Sequence, residues 1–387
     1  MFIRRFDELG KTDVAVAGGK GANLGEMARA GLPVPRGFVV TVDAYGRFYE
    51  ASGVAAEVSR RLERLEVDDP VQLRRTAESL QALIRRARVP DDVKAAILDA
   101  YRTLSEQEGV EQEYVAVRSS ATVEDTAEFS FAGMFESFLN VRGGDELIRR
   151  VKDCWASSFG ARVLFYRIKQ GLLEESPIAV IVQKMVNAEK SGVLFTVDPA
   201  SNDPGVLVIE AAWGLGEVVV GGQVAPDHYV VDKKSLDVVE RTPGHKDFML
   251  VRDEGAGENV RVDLDEEKAS ALVLNDAEIR ALAELGTKDE EHYGAPQDAE
   301  WAIEDRIIYF VQTRPVTTLA ERGSAPAAVA PGAAEEEGEG KVLARGLGAS
   351  PGVASGVVRV LASPEEGGKL AEGEVLVTTR TAPDWVP

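Results

Sequence analysis

Apolar side chains recur at helical spacing through residues 56–107. In the stretch "DDVKAAILDAYRTL" they fall on one face of a helix: Val93, Ile97, Tyr101 and Leu104. Two further stretches, 144–170 and 266–290, have the same character. We therefore predict helices in these three parts of the chain.

From about residue 113 the pattern changes to short runs of β-branched and other apolar residues, which are typical of strands. The predicted strands are "YVAV" (114–117), "IAVIVQKMV" (178–186), "GVLFTV" (192–197), "GVLVIEA" (205–211), "HYVVD" (228–232) and "IIYFVQT" (307–313). Alternation of Val375, Val377 and Thr379 with their neighbours predicts another strand at 374–380. This mixture of helices and strands predicts an α+β fold.

Residues 319–342, "LAERGSAPAAVAPGAAEEEGEGKV", contain almost no large apolar side chain and cannot bury a core. We interpret them as a flexible linker, because a compact domain rarely contains so long a loop. The linker separates a large part, residues 1–318, from residues 343–387. The second part is too short to form a stable domain alone.

The net charge of 44 − 65 = −21 opposes binding to nucleic acid or to an anionic membrane. No apolar run approaches the ~20 residues that span a bilayer, and the N-terminus lacks the apolar segment of a signal peptide. Cys154 is the single cysteine, which excludes an internal disulfide and favours the reducing cytoplasm.

The stretch "DAEWAIEDRIIYFVQTRP" predicts a hairpin with its turn at Glu304-Asp305-Arg306. Strand geometry puts its polar side chains on one face: Asp298, Glu300, Gln312 and Arg314. The opposite face is expected to carry Ala299, Trp301, Val311 and Thr313. Carboxylate and amide oxygens suit Mg²⁺, and a guanidinium beside them suits a phosphate. A solvent-facing hairpin with an ordinary Glu–Arg pair is the alternative.

In "YVAVRSSATVEDTAEFSFAGMFES" a strand leads to Arg118 and then to small residues that would let backbone N–H groups approach a phosphate: Ser119, Ser120, Thr122, Gly133 and Ser137. The alternative is a loop whose hydroxyl groups bind their own backbone.

In "VAGGKGANLGEM", Lys20 could hold a phosphate, although Gly21 stands where a P-loop requires Ser or Thr. Glu210 ends a strand before a glycine-rich turn. The strand that includes Gln183, Lys184, Met185 and Val186 could offer its edge to a flat base. The alternative for the Lys20 segment is a glycine-rich helix start. For Glu210 it is a structural turn, and for the strand at 183–186 it is an ordinary core strand.

Six segments together resemble one enzyme family: "GGKGANLGEM", "GLPVPRGFVVT", "VAVRSSATVEDTAEFSFAGMFESFLNV", "SGVLFTVDP", "AAWGLGE" and "DAEWAIEDRIIYFVQTRPVT". In these segments residues 1–318 resemble the nucleotide-binding domain of the phosphoenolpyruvate synthase and pyruvate phosphate dikinase family. The resemblance implies an ATP-grasp fold whose two lobes span about 1–180 and 181–318. "LGASPGVASGVVRVL" resembles the start of the family's phosphohistidine swivel domain, which implies a partial, β-rich swivel domain at 343–387.

By position, the resemblance implies a role in binding ATP and Mg²⁺ for each motif. The residues implied at the phosphates are Lys20, Arg118, Gly133 and Ser137. Those implied along the adenine are Gln183, Met185 and Val186. Glu300 and Gln312 are implied as the Mg²⁺ ligands, with Glu210 and Asp298 nearby. Arg314 would stabilise the transferring phosphoryl group and, with Arg118 and Lys20, form the catalytic set.

The family's activity implies conversion of pyruvate, ATP and water to phosphoenolpyruvate, AMP and phosphate through a phosphohistidine. In the family that histidine lies beyond a "PDW" segment, and this sequence stops at Pro387, before it. We therefore expect an ATP-binding part of a longer cytoplasmic enzyme, whose pyruvate site lies on a further domain; a homodimer is left open.

Related phosphotransferases are the alternatives: pyruvate phosphate dikinase, phenylphosphate synthase and rifampicin phosphotransferase. A short linker before the swivel-like segment favours the synthase and dikinase branch. The segment "GQVAPDHYVV" departs from the Asn-Pro-Asp that synthases often carry. A non-catalytic nucleotide-binding module is the competing class.

Overall fold

The computed structural model covers the 387 residues of the chain. The residues that it describes are 1–122, 137–169, 177–253, 255, 257–316, 355–371 and 373–378. Gly133, the whole of the linker expected at 319–342 and the sequence after Thr378 lie outside them.

The chain divides into two compact units, one of residues 1–198 with 203–317 and one of residues 199–202 with 318–387. Among the described residues, the first unit contains ten α-helices: α1 Val14–Arg29, α2 Val42–Ala51, α3 Val54–Leu62, α4 Pro70–Arg86, α5 Asp91–Gln107, α6 Gly144–Ser157, α7 Ala161–Lys169, α8 Glu217–Val220, α9 Glu266–Ser270 and α10 Asp276–Tyr293. A short 3-10 helix spans Phe6–Glu8.

The strands described in the first unit are β1 Ile3–Arg5, β2 Gly37–Val40, β3 Val115–Ala121, β4 Ser137–Val141, β5 Ile178–Lys184, β6 Lys190–Phe195, β7 Val206–Trp213, β8 Asp227–Asp232, β9 Val238–Thr242, β10 Phe248–Arg252, β11 Asn259–Asp263, β12 Gln297–Glu304 and β13 Ile307–Pro315. In the second unit, β14 Val358–Val360 and β15 Val375–Val377 form a parallel pair, and a 3-10 helix spans Pro364–Lys369. These elements confirm the predicted α+β class and the predicted helical regions.

The first sheet has the strand order β1-β2-β5-β3-β4, and all its neighbours are antiparallel. Successive side chains of a strand point to opposite faces, so β5 packs against helices on both sides. Val180 and Val182 join the core formed with α2, α4, α5 and α6. Ala179 and Ile181 join the core that contains Leu24 of α1. Helix α1 therefore covers one face, and helices α2, α4, α5 and α6 cover the other.

The second sheet has the antiparallel order β13-β12-β6-β7-β8-β9. Helix α10 covers one face and packs on an apolar layer that includes Leu194, Ile209 and Trp301. The helix starts at a capping box: the Asn275 side chain accepts from the Glu278 N–H at 3.0 Å, and the Glu278 carboxylate accepts from the Asn275 N–H at 2.9 Å. We call the face away from α10 the open face.

The chain passes from the first sheet to the second between Lys184 and Lys190, a few residues after the lobe boundary expected at 180/181. None of the helices in the described ranges combines the length and apolar character that a membrane crossing needs.

The predicted hairpin is present as β12 and β13, but one expectation about its faces is wrong. The register shifts between Glu300 and Trp301, which pair with Gln312 and Phe310, so Val311 is an extra residue on β13. Val311 therefore leaves the α10 side, where Thr313 lies, and packs near Met185 instead. Strict alternation along the strand fails here because of the bulge.

Candidate functional site

A cavity of about 460 Å³ lies between the two sheets of the first unit. It is lined from β3, β4 and β12, from the connection between β5 and β6, and from the loop and helix after β7. Six of the residues predicted from the sequence line it: Arg118, Ser137, Gln183, Met185, Val186 and Glu300. Five others among the described residues do not line it: Lys20, Glu210, Asp298, Gln312 and Arg314.

The Arg118 side chain crosses from the first sheet to the second. Its Nη2 donates to Gln312 Oε1 at 2.7 Å and lies 3.9 Å from Glu300 Oε2. Its Nη1 donates to the Val311 carbonyl at 3.4 Å. These contacts join residues 194 positions apart, so a predicted phosphate-binding arginine meets both predicted Mg²⁺ ligands.

Polar side chains form a row across the open face of the second sheet. Gln312 pairs with Glu300, and Glu300 pairs with Val193, which pairs with Glu210; Glu210 then pairs with His228. Residues directly opposite each other on antiparallel strands share a face. The strand order therefore places the three predicted oxygen donors of this row in one line, with one valine between them.

The next row along the hairpin contains Arg314 and Asp298, which are also a cross-strand pair. Both Nε and Nη2 of Arg314 lie 2.9 Å from Asp298 Oδ2. The carboxylate thus holds the guanidinium on the same open face as Glu300 and Gln312.

Burial raises the pKa of the Glu210 carboxyl, and the negative charge of Asp298 raises it further, while His228 opposes the change. A half-buried carboxylate in this position gains from a nearby cation. His228 was not assigned a role from the sequence; its cross-strand position opposite Glu210 is what relates it to the site.

At the other end of the cavity the lining is apolar. Met185, Val186 and Leu215 belong to one small core cluster with Ala116, Ala188 and Ala302. Gln183 is buried, and its Nε2 lies 3.5 Å from the Pro35 carbonyl. Such a surface can cover the faces of a flat ring, while Arg118 and Glu300 supply the charged part of the same lining.

Lys184, at the edge of this apolar end, is held by two carboxylates. Its Nζ lies 3.2 Å from Glu108 Oε2 and 3.4 Å from Glu304 Oε2. Burial opposes the charged form, but the two carboxylates outweigh burial and raise the pKa of Lys184. The amine therefore stays protonated in the cavity wall.

Residues 14–332 match the family model described as "Pyruvate phosphate dikinase, AMP/ATP-binding domain". This chain belongs to that family.

The curated relatives of this AMP/ATP-binding domain include archaeal proteins. It is 45% identical to a probable phosphoenolpyruvate synthase of Methanothermobacter thermautotrophicus, over 100% of this chain and 55% of that protein. It is 48% identical to a probable phosphoenolpyruvate synthase of Archaeoglobus fulgidus, over 98% and 50%. It is 42% identical to the phosphoenolpyruvate synthase of Pyrococcus furiosus, over 100% of this chain and 51% of that protein. The chain spans about half the length of these relatives.

Among solved structures, the D-alanine–D-alanine ligase of Helicobacter pylori matches at 13% identity, over 58% of this chain and 46% of that chain. The TM-score is 0.27, which is too low to establish a shared fold.

The AMP/ATP-binding domain has oxygen donors that fit Mg²⁺ delivered with a nucleotide. Glu300 and Gln312 present a carboxylate and an amide oxygen side by side. Among the residues that the structure describes, no group of three or more His, Cys, Asp or Glu could hold a metal ion by itself. Mg²⁺ is commonly held by one or two protein ligands together with substrate phosphates, which is the arrangement these two residues allow.

Ser119 and Ser120 do not lie in a loop that would let backbone N–H groups approach a phosphate, nor do their hydroxyl groups and that of Thr122 bind the local backbone. Strand β3 continues to Ala121, so both serines are buried in the sheet. The Ser119 hydroxyl lies 3.2 Å from that of Ser157, and Thr122 donates to the Pro177 carbonyl at 3.3 Å. The Ser120 hydroxyl binds α1. Tertiary neighbours satisfy these hydroxyl groups, which local sequence could not indicate.

A partly buried polar network links α1, which carries Lys20, to the strand that carries Gln312 and Arg314. Asn23 of α1 donates from Nδ2 to the Thr313 carbonyl, and it accepts from the Tyr293 hydroxyl of α10. The Thr313 hydroxyl donates to Asp289 Oδ2 at 2.6 Å. The network lies behind the site and ties the first sheet's helix to the second sheet.

Replacing Asp289 by Asn is expected to stabilise the domain at pH 8 by ~2–3 kcal/mol and to change its stability little near pH 4. Burial raises the pKa of this carboxyl to about 6, although the hydrogen bond from Thr313 and the nearby His292 lower it in part. The folded state therefore binds the proton more tightly than the unfolded chain, and stability falls as pH rises from the unfolded value of about 4 through about 6. Urea unfolding at the two pH values measures the difference; an equal effect at both would contradict the assignment.

Proposed function

We propose that this chain has an ATP-grasp architecture and binds Mg·ATP in the cavity between its two sheets. The observation that carries the proposal is the meeting of Arg118 with Glu300 and Gln312 at one end of a cavity whose other end is apolar. A nucleotide requires both surfaces: an apolar slot for its base, and cations with oxygen donors for its phosphates.

In this proposal the adenine lies along Gln183, Met185 and Val186. The phosphates extend toward Arg118, with Gly133, Ser137 and Lys20 as further contacts. Arg118 exchanges its bonds to the Gln312 and Glu300 oxygens for bonds to phosphate, and this exchange leaves those oxygens for the metal.

When bound, Mg²⁺ would neutralise phosphate charge and orient the phosphates. Glu300 and Gln312 would hold it, with Glu210 and Asp298 close by. Arg314 would stabilise the charge on the transferring phosphoryl group, since a guanidinium fits phosphate oxygens in a bidentate manner. The chain's own residues bind, orient and neutralise; none of them needs to be a nucleophile.

We further propose that the domain acts as the nucleotide half of a phosphotransferase with paired acceptors, as in phosphoenolpyruvate synthase. A histidine on a swivel domain would take the two terminal phosphoryl groups of ATP, which leaves AMP. Water would release one of them as phosphate, and the histidine would pass the other to pyruvate on a further domain, which gives phosphoenolpyruvate. Residues 1–318 would be the ATP-grasp domain, with lobes at about 1–180 and 181–318, followed by the linker at 319–342 and the start of the swivel domain at 343–387. The names of the relatives support this reading, and the single, buried Cys154 is compatible with the cytoplasm.

The first test is a calorimetric titration of this chain with ATP, with and without Mg²⁺, for the wild type and Glu300→Gln. We expect Mg²⁺ to tighten binding in the wild type, and the variant to lose most of that gain, about 10-fold to 100-fold in affinity, because the amide keeps the shape but loses the charge that attracts the ion.

Glu240→Gln is the matched control, because Glu240 is an exposed carboxylate on β9 of the same sheet. It should bind Mg·ATP as the wild type does. A folded wild-type chain that binds no ATP would overturn the proposed function. Wild-type affinity for Mg·ATP in Glu300→Gln would remove Glu300 from the metal site.

A further inference from the structure

Helix α1 is interrupted at Gly18, two residues before Lys20. Gly18 has φ 70° and ψ 170°, whereas the residues on both sides are helical. A Cβ at this position would lie 2.2 Å from the Ser120 carbonyl oxygen, so both the backbone angle and the close approach require glycine. The second part of the helix therefore begins next to Lys20, against strand β3.

The Ser120 hydroxyl closes the interruption. Its Oγ accepts from the Gly21 N–H at 3.0 Å and donates to the Ala17 carbonyl at 2.8 Å. The first N–H groups and the last carbonyls of a helical segment lack partners within the helix. One buried side chain, 99 residues along the chain from Gly21, thus caps the end of the first part and the start of the second.

The same serine is fixed relative to Arg118. The two residues are two positions apart on β3 and therefore share the face that α1 covers. Lys20 directly precedes Gly21, whose N–H the serine holds. The two bonds of Ser120 accordingly set the position of the Lys20 backbone with respect to the Arg118 strand.

We propose that Ser120 is a positioning residue that keeps Lys20 aligned with Arg118 for the phosphates of the nucleotide. The inference rests on the proposed function, because it takes Lys20 and Arg118 as phosphate contacts. Ser120 itself need not touch the nucleotide: its bonds go to Ala17 and Gly21, and it acts through them.

The experiment compares Ser120→Ala with Ser119→Ala in this chain. The two serines are neighbours on β3, both buried and both hydrogen-bonded, but the Ser119 hydroxyl faces Ser157 rather than α1. Each variant is titrated with ATP and with adenosine in the presence of Mg²⁺, ATP by calorimetry and adenosine by ligand-detected NMR. Thermal unfolding records the stability of each.

We expect Ser120→Ala to weaken ATP binding about tenfold and to leave adenosine binding unchanged, because only the phosphate contacts depend on Lys20. Ser119→Ala should bind both ligands as the wild type does, even if it unfolds at a lower temperature. In a Lys20→Ala background, Ser120→Ala should cause no further loss of ATP affinity. Ser120→Cys has nearly the same shape and weaker hydrogen bonds. If the alanine variant does not fold, the cysteine variant is titrated in its place, and we expect the same selective loss of ATP affinity.

Equal losses of ATP and adenosine affinity, or a Ser120→Ala effect that persists in full without Lys20, would overturn the positioning role. ATP binding equal to that of Ser119→Ala would overturn it as well. Absence of ATP binding by the folded wild type is a separate result, which would overturn the proposed function and this inference with it.

Discussion

Replacing Arg314 by Ala is expected to lower ATP-dependent AMP formation at least ~1,000-fold in an enzyme that carries this chain together with the swivel and pyruvate-binding domains of the proposal. The guanidinium lies beside Glu300 and Gln312 on the open face, held by Asp298 at 2.9 Å, where it can stabilise charge on the transferring phosphoryl group. AMP production from pyruvate and ATP is the measurement.

The fold should survive this change, since the Arg314 side chain is 48% exposed and an exposed ion pair contributes little to stability. Arg314→Lys separates charge from geometry: lysine keeps the positive charge but not the bidentate contact, and we expect an intermediate rate. Asp298→Asn is a third comparison. It keeps the guanidinium and removes only the carboxylate that holds it, so it should reduce the rate less than Arg314→Ala does. AMP output near the wild-type level from a folded Arg314→Ala enzyme would exclude Arg314 from the transfer step.

Replacing Lys246 by Met is expected to lower the free energy of unfolding by ~3–5 kcal/mol. Lys246 and Asp227 form an ion pair in which both side chains are fully buried. The lysine also donates to the carbonyls of Gly244 at 3.1 Å and Ala271 at 2.9 Å. Without it, Asp227 keeps a buried charge that lacks its cation.

Several hydrogen bonds hold the Asp227 carboxylate in place, so it cannot turn toward solvent when Lys246 is removed. It accepts hydrogen bonds from the Gly244 N–H at 2.8 Å, the Val273 N–H at 2.7 Å and the Tyr229 hydroxyl at 3.1 Å. The pair therefore fastens the segments after β9 and α9 to β8, the strand that also carries His228.

Urea unfolding near pH 7 tests the prediction. Lys234→Met, at an exposed lysine in the turn after β8, is the matched control and should change stability by less than about 0.5 kcal/mol. The double variant Lys246→Met/Asp227→Asn should lose less stability than the two single variants lose in sum, because it leaves no unpaired buried charge. A loss as small as that of the control would mean that the buried pair contributes no net stability.

The spacing of apolar residues along the chain predicted the amphipathic helices and the strands with regular alternation. The apolar stripe of "DDVKAAILDAYRTL" predicted α5, and the alternation on either side of Asp305 and Arg306 predicted the β12–β13 hairpin. Both turn residues have positive φ, 51° and 66°, which suits a two-residue turn between twisted strands. The strands that were not predicted are β1, β2, β4, β9, β10, β11 and β14, because short strands acquire their register mainly from the neighbours they pair with.

For the site, the sequence alone identified the residue types and the motifs, and with them the family. It determined that Glu300, Gln312 and Arg314 would share a hairpin, because strand period and turn position are local properties. Only the tertiary structure decided that Arg118 meets this hairpin 194 positions away, that a bulge moves Val311 to the cavity side, and that Ser120 turns from the expected loop to close the break in α1. The physical reason is the same in each case: these positions depend on sheet order, register and buried hydrogen bonds between residues far apart in sequence, and such contacts leave no periodic signal along the chain.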